Sequence, residues 1–288
     1  MNARDLLDRA QKALVDSPSV DHWQAGRERI EAEELLEFVM GKLPADDDVV
    51  PAPARRRFDR LVARRATGEP VPLITGLFEF RGLQMKVRPG VFVPRDSSEW
   101  LVEQAVVRLR RRKKPVAVDL ATGAGPIALA IANEVRGAQV YGTDLTPESV
   151  ALARDNARHL EGGARFVRGD LYGGLPRRLR GSVDVITFHP PYLGRREIRE
   201  LPDEIRFFEP LSALTDRSPT GMFLIERAAE ESEEWLRRGG WMLVEVSPDR
   251  SRQVASLLRR CGFRDVRSTK DVDGGIVADA SRVIVGRR

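Results

Sequence analysis

The chain has 288 residues, 42% of them hydrophobic, with a formal net charge of +5 and one cysteine, Cys261. This length exceeds what one minimal domain needs, so we expect one large and one small domain. No apolar run approaches the roughly 20 residues that span a bilayer, and Met1–Asp5 lacks the basic and apolar regions of a secretory signal. Together with the single cysteine, which excludes an internal disulfide, these features indicate a cytoplasmic protein that contacts no membrane. Cys261 is predicted to be a small core residue.

The positive charge is carried mostly by arginine, and the basic residues cluster at 55–57, 64–65, 108–114 and 177–180. Such a balance favours acidic partners, among them RNA. No aromatic residues interleave with these arginines as stacking platforms for bases, so a solvated surface explains each cluster more simply. Contact with RNA remains open at this point.

Residues 1–76 are predicted to form a small helical domain. Apolar residues recur at helical spacing in stretches that begin near Leu6, Ile30 and Phe58. The region holds no catalytic constellation, and we interpret His22 and Trp23 as packing or surface residues.

A β-hairpin that links the two domains is predicted over residues 77–95. Alternating apolar residues flank the turn at Arg81 and Gly82, a pattern that indicates a hairpin. Val91–Arg95 is predicted to continue this hairpin, and Asp96–Lys114 is predicted to form a helix.

From Pro115 onward short apolar strands alternate with helices, which indicates an α/β domain with a doubly wound parallel sheet over residues 96–288. The predicted strands are 116–120, 138–144, 165–167, 183–187, 241–246, 265–268 and 283–285. The last two follow each other without a helix, which implies an antiparallel pair at the sheet edge. Such a seven-stranded, Rossmann-like sheet is typical of a class I methyltransferase rather than of a nicotinamide dehydrogenase.

A turn of small residues, Ala121–Gly125, follows the first strand of this domain. Small residues let the backbone approach a ligand closely, and the next helix presents free N–H groups at its N-terminus. The pattern is not that of a dinucleotide site, because Ala128 takes the place of the third glycine.

Acidic residues stand at or near the ends of three successive strands. Asp144 can accept both hydroxyls of a ribose, Asp170 can accept from an adenine amino group, and Asp119 can face the amino end of a methionyl group. Any one of these acids can be a loop cap, but the set beside a glycine turn indicates S-adenosylmethionine as cofactor.

The fourth strand ends at His189-Pro190-Pro191-Tyr192. Two prolines cannot continue a central strand, and ligands of open α/β sheets bind at the carboxyl ends of strands. His189, Pro190 and Tyr192 are therefore candidate catalytic residues, and these three with Pro191 are candidates for substrate binding. Residues 193–220 are predicted to form a lid over the site.

These motifs resemble the protein-glutamine N5-methyltransferases that modify peptide-chain release factors and a ribosomal protein. The resemblance covers nearly the whole chain, from Thr67–Pro70 through Val93–Arg95 to Phe208–Pro210. It implies a substrate-recruiting N-terminal domain, a protein substrate of the translation machinery, and direct methyl transfer without a metal. It also places the residue beside the adenine at Leu171. The residues assigned to the cofactor are then Asp119, Ala121, Thr122, Gly123, Ala124, Gly125, Asp144, Asp170, Leu171 and His189.

The chain departs from the family at three places. The family has Asn where this chain has His189, Gly where it has Ala121, and usually Pro-Glu-Thr-Glu where it has Asp96–Glu99. A neutral imidazole supplies one acceptor nitrogen and a protonated one supplies none, whereas the Asn oxygen accepts from the substrate amide. The alternatives are therefore another nitrogen or oxygen acceptor, in a small molecule or nucleic acid, with His189 as general base, or a cofactor-binding protein without transfer activity.

Overall fold

The structure is a computed structural model that describes residues 1–21, 26–271 and 280–288. The chain separates into two compact units. The N-terminal unit comprises Met1–Leu77 and Arg199–Glu209, and the C-terminal unit comprises Phe78–Ile198 and Pro210–Arg288. His22 and Trp23 lie outside the described residues. None of the helices in the described ranges is long and apolar enough to cross a membrane.

The N-terminal unit is helical, as predicted. Its helices are α1 (Ala3–Val15), α2 (Arg27–Met40), α3 (Ala52–Arg65) and α4 (Val71–Thr75). Their apolar faces meet in one core, in which Leu6, Leu35 and Phe58 are almost completely buried. The predicted helical spacing therefore reflects real burial on one side of each helix.

A buried ion-pair network ties residues 199–209 to the helices of this unit. Arg65 is fully buried and donates to Glu31 and to Glu204, each at 2.8 Å. Arg27 donates to the other oxygen of Glu204 at 2.8 Å. Burial raises the pKa of the Glu204 carboxyl, but Arg65 and Arg27 outweigh that effect, so its pKa lies below the ordinary value.

The C-terminal unit begins with the predicted hairpin, β1 (Leu77–Phe80) paired with β2 (Leu83–Lys86). The prediction that Val91–Arg95 continues it is wrong, because this segment forms no strand. Pro89 cannot donate to a ladder, and Gly90 has a φ of +86°, so the chain turns away after β2. Val91 is instead buried against residues of the sheet domain.

The helix predicted over Asp96–Lys114 is shorter than expected. A single 3₁₀ turn, Asp96–Ser98, leads into α5 (Glu99–Leu109). The chain leaves the helix at Arg110–Lys114, where five consecutive positive charges repel one another along a helix and cannot be buried.

The core of the C-terminal unit is a seven-stranded sheet in the order β5-β4-β3-β6-β7-β9-β8. Its strands are β3 (Val116–Leu120), β4 (Gln139–Asp144), β5 (Ala164–Arg168), β6 (Val183–Phe188), β7 (Leu236–Val246), β8 (Arg264–Thr269) and β9 (Arg282–Arg287). β3 to β7 are parallel, and β9 runs antiparallel to both β7 and β8. The predicted sheet, with its antiparallel edge pair, is therefore confirmed, although β7 starts five residues earlier than expected.

Helices pack on both faces of this sheet. In the C-terminal unit, the helices in contact with it are α5, α6 (Pro126–Glu134), α7 (Pro147–His159), α10 (Phe223–Trp235) and α11 (Ser251–Arg260). The short helix α9 (Leu211–Leu214) belongs to the same unit, and α8 (Asp203–Phe208) belongs to the N-terminal unit. The central strands β3 and β6 are buried along their whole length, as parallel strands covered on two faces must be. The carboxyl ends of β3, β4 and β6 consequently meet at one edge, where the candidate site lies.

The network around Arg65 makes the stability of the N-terminal unit depend on Glu204. We expect Glu204→Gln to destabilise the protein by roughly 3 kcal/mol near pH 7, because it leaves a buried guanidinium without its charge partner. Since the pKa of Glu204 is lowered by folding, its contribution is present above the unfolded value of 4.5 and is lost as pH falls through the lower, folded value.

Urea unfolding of the wild type and of Glu204→Gln, at neutral and at acidic pH, measures this effect. Glu200→Gln, at an exposed position four residues earlier, is the matched control and should change stability by less than about 0.5 kcal/mol. A difference between wild type and Glu204→Gln that grows in acid would contradict the assignment.

Candidate active site

The turn between β3 and α6 is held in an uncommon backbone conformation. Ala121 has a φ of +51°, and Gly123 and Gly125 have φ values of +56° and +88°. A Cβ atom at Gly125 would lie 2.8 Å from the Phe166 ring, so this position requires glycine. The left-handed conformation costs about 1 kcal/mol for a residue with a Cβ atom, which gives a physical reason for the glycine that the resemblance places at Ala121.

Asp144, at the end of β4, is fixed beside this turn. Its carboxylate accepts hydrogen bonds from the Gly123 N–H, the Thr146 N–H and the Thr146 hydroxyl, all at 3.0 Å. Thr146 also caps α7, as predicted, by accepting from the Ser149 N–H. The carboxylate thus has a defined position next to backbone that carries no bulky side chain.

Phe166 also packs closely against the strand beneath the turn. A Cβ atom at Gly142 of β4 would lie 2.6 Å from the Phe166 ring and 2.8 Å from the Thr122 hydroxyl. The neighbouring Thr143 hydroxyl is buried and has no hydrogen-bond partner among the described residues.

Asp119, on β3, lies at the centre of the site and is almost completely buried. It accepts hydrogen bonds from the hydroxyls of Thr122, at 2.5 Å, and Thr187, at 2.8 Å. Burial raises the pKa of Asp119 to about 7, and the two threonine hydroxyls only partly offset that rise. The ionised form would be favoured by a cationic group brought next to it.

Asp170 and Leu171 follow β5. Asp170 is half exposed and accepts from Arg227 at 3.1 Å, so a ligand amino group at this carboxylate would compete with a guanidinium. Leu171 is buried with a φ of +50°. The structure therefore places both predicted residues at a strand end but gives Asp170 a partner that the sequence did not reveal.

The chain leaves β6 at the Pro-Pro corner, as predicted, and His189 stands directly after the strand. Its Nδ1 atom lies 3.1 Å from the Ser98 hydroxyl and 3.5 Å from Oε2 of Glu245. The ring meets Phe92 edge-on at 5.8 Å and stacks on Tyr192 at 6.3 Å between ring centroids. His189 is thus fixed by contacts on several sides.

Glu245 on β7 is the acidic neighbour of this imidazole. It is fully buried, and its Oε1 accepts from the Ser97 hydroxyl at 2.9 Å. Its Oε2 has no hydrogen-bond partner within the described part of the chain. A carboxylate oxygen can only accept, so it favours the tautomer that carries its proton on Nδ1, which leaves Nε2 of His189 as the ring acceptor.

Tyr192 completes the corner but cannot act as a base near neutral pH. Burial, with the negative charge of Glu245 adding to it, raises the pKa of its hydroxyl to about 12. The two prolines that precede it, Pro190 and Pro191, are buried. Tyr192 therefore supplies a ring surface rather than a proton acceptor.

Sequence reasoning missed Ser97, Ser98, Glu245 and Asn156. Ser97 and Ser98 could have been found, because they fall in the stretch that departs from the family pattern. Glu245 could also have been found, because it is a charged residue inside the apolar run Trp241–Val246. Asn156 is fully buried on α7 and donates to the carbonyl of Ala124 at 3.0 Å, a contact with no signal in the local sequence.

Comparison with known proteins assigns both parts of the chain. Residues 117–206 match the family model described as a methyltransferase domain, and residues 5–76 match the PrmC N-terminal domain. The release factor glutamine methyltransferase of Bordetella pertussis is 36% identical over 86% of this chain and 93% of its own length. The enzyme of the same name from Salmonella typhimurium is 33% identical over 100% of this chain and 99% of its own.

Solved structures agree on the fold. A methyltransferase of Pyrococcus furiosus matches with a TM-score of 0.50 at 17% identity, over 72% of this chain and 89% of its own. The 16S rRNA N2 G1207 methyltransferase of T. thermophilus, in complex with AdoMet and guanosine, matches with a TM-score of 0.51 at 19% identity, over 74% of this chain and 49% of its own. The fold, the S-adenosylmethionine cofactor and the methyltransferase class predicted from the sequence are confirmed, and the chain belongs to the release factor glutamine methyltransferase family.

Proposed function

We propose that this protein transfers a methyl group from S-adenosylmethionine to the side-chain amide of a glutamine in a release factor or ribosomal protein, in the cytoplasm. The observation that carries this proposal is the hydrogen bond of 2.8 Å between the Thr187 hydroxyl and Asp119. It joins the end of β3 to the end of β6, so the residues that we assign to the cofactor and those that we assign to the acceptor follow adjacent strands.

The residues at the carboxyl edge fit the cofactor. The backbone at Gly123 faces open space, and Asp144, which accepts the Gly123 N–H, presents a fixed carboxylate for the ribose hydroxyls. Asp119 would face the cationic amino group, which favours its ionised form, and Leu171 would lie against the adenine. Asp170 would contact the adenine amino group if Arg227 gives up part of its contact. When bound, the cofactor supplies an electrophilic methyl group.

His189 and the prolines would hold the acceptor. An amide nitrogen is a poor nucleophile because its lone pair is delocalised, so the enzyme gains most by holding it in line with the methyl group. Nε2 of His189 would accept one N–H of the glutamine amide, and the Pro190 carbonyl would accept the other. The nitrogen loses a proton as its bond to carbon forms, and Nε2 is the ring atom that can take it. Tyr192 would stack on the planar amide.

The N-terminal unit would recruit the protein substrate. It matches a domain that accompanies the methyltransferase domain in relatives aligned along the whole chain. The helical residues 1–76 carry no candidate catalytic group of their own, which suits a recruiting role.

A second candidate is a methyltransferase for another nitrogen or oxygen acceptor. The geometry of His189 favours it, because Ser98 and Glu245 hold the imidazole in place and a general base must be within reach of the proton that it takes. An acceptor that must lose a proton before or during methyl transfer would depend on His189 as a base more strongly than an amide does.

Asp144 gives the first test, which concerns the cofactor. We expect Asp144→Asn to weaken S-adenosylmethionine binding about 10-fold or more in calorimetry, because hydrogen bonds to a charged group contribute about 1.5–3 kcal/mol. Glu148→Gln removes the same charge at an exposed position nearby and should leave the affinity unchanged. Equal affinities for both variants and the wild type would remove Asp144 from the cofactor site.

The acceptor is tested with labelled methyl groups and purified release factor. We expect wild type to label a glutamine, His189→Asn to retain this activity within about 10-fold, and His189→Phe to lose about 100-fold because no acceptor atom remains. His159→Asn, at the exposed end of α7, is the control. If the wild type leaves glutamine unlabelled and His189→Asn gains that labelling, the result would instead support a methyltransferase for another nitrogen or oxygen acceptor.

The role of Glu245 is tested by nitrogen-15 NMR of the imidazoles. The chain has three histidines, and His189→Asn identifies the signal of interest. We expect the wild type to carry its proton on Nδ1, and Glu245→Gln to lose this preference because its amide can also donate. A wild-type signal from the tautomer protonated on Nε2 would mean that Nε2 is no acceptor.

A further inference from the structure

A second pocket lies on the C-terminal unit, at the amino ends of the parallel strands and therefore at the sheet edge away from the carboxyl-edge site. Its volume is about 280 Å³, and it is formed by the end of α5 and the beginnings of β6 and β7, together with residues of β8 and β9. The arginines that line it are Arg108, Arg111, Arg112, Arg237, Arg267 and Arg287.

The carboxylate that lines this pocket, Asp184, is already paired with arginines. Asp184 is buried and accepts from the Val116 N–H at 2.9 Å, from Arg112 at 3.0 Å and from Arg237. Two of the six arginines therefore share one carboxylate. The pocket keeps an excess of positive charge from the other four.

The remaining arginines have little compensation. Within the residues that the structure describes, Arg111 and Arg267 form no ion pair, and Arg287 approaches only Asp265, at 3.9 Å. Both members of that last pair are about half exposed, and such pairs contribute little to stability. The excess charge is consequently free to meet an anion from outside.

Arg108 forms the floor of the pocket. Its guanidinium lies 4.5 Å from the centre of the Trp241 ring, and its Nε is buried without a hydrogen-bond partner in the described part of the chain. Burial, with the positive charges of Arg267 and Arg111 adding to it, lowers the pKa of Arg108 to about 10. The pocket therefore holds several positive charges close together, and a bound anion would reduce their mutual repulsion.

We propose that this pocket binds a phosphate group of an RNA chain. Guanidinium groups present planar forks of donors that match phosphate oxygens. The basic run Arg110–Lys114 adjoins the pocket and extends the positive surface, which favours a chain with several phosphates over a single anion. Trp241 is covered by Arg108, with Arg287 at 5.9 Å, so it offers no free face to a base. Binding should therefore depend on the phosphates and little on sequence.

Arg111 and Arg267 give the sharpest variant, because both are exposed and neither forms an ion pair within the residues that the structure describes. We expect Arg111→Gln/Arg267→Gln to bind a fluorescent single-stranded RNA at least 10-fold more weakly than the full-length wild type in fluorescence anisotropy. The slope of log K against log salt should fall by about 1.4, since each phosphate contact on single strands contributes about 0.7. The double variant Arg136→Gln/Arg177→Gln removes two exposed charges of the same unit and should lose less than 2-fold.

Inorganic phosphate provides the second arm. We expect phosphate, compared with chloride at equal ionic strength, to raise the melting temperature of the wild type but not of Arg111→Gln/Arg267→Gln. Equal losses of RNA binding in the two double variants would overturn the proposal, because they would assign binding to diffuse charge. Stabilisation by phosphate without RNA binding would overturn RNA as the source and leave a small phosphate compound. No response in either arm would overturn the site altogether.

Discussion

The buried carboxyl group of Asp119 is the contact on which the arrangement of the candidate site depends. Through Thr122 it holds the turn after β3, and through Thr187 it holds the strand that leads to the Pro-Pro corner. Both hydroxyls donate, so the carboxyl oxygens are occupied even though the group is removed from water. Burying an acid with a raised pKa destabilises the fold. A cationic group of the cofactor beside it would stabilise the ionised carboxylate and so strengthen cofactor binding.

The opposite wall of the site is built around His189 and Glu245. The imidazole is positioned by its neighbours, because Nδ1 lies 3.1 Å from the Ser98 hydroxyl and 3.5 Å from the buried Oε2 of Glu245. Ser98 stands where the family usually has a different sequence, so the unusual residues at 96–99 and at 189 contact each other. Two departures that were independent in the sequence therefore form one structural unit, which explains how the corner tolerates an imidazole.

The sequence predicted the features that depend on short-range patterns. Apolar runs bounded by glycine and proline located the strands, and the sequence placed a turn of small residues and Asp144 at strand ends, where the structure brings them into contact. It failed where tertiary contacts decide. Val91–Arg95 alternates like a strand but is turned away by Pro89 and Gly90. Residues 199–209 were assigned to a lid within the catalytic domain, whereas they group with the N-terminal unit because Glu204 pairs with a buried arginine. No local sequence pattern predicts that pairing.

The same reasoning separates two classes of arginine in this chain. Arg65, Arg81 and Arg237 pair with buried or half-buried carboxylates, and they belong to the architecture of the fold. Four other arginines that line the pocket beside Trp241 have no buried carboxylate as a partner within the described residues and stand closer together than their charges favour; they are Arg108, Arg111, Arg267 and Arg287. Cation–π contact with the indole and the stems of long side chains can hold them there, but neither cancels their charge. The excess positive charge of the protein is therefore not spread evenly, and part of it is concentrated at the amino ends of the parallel strands, away from the candidate site.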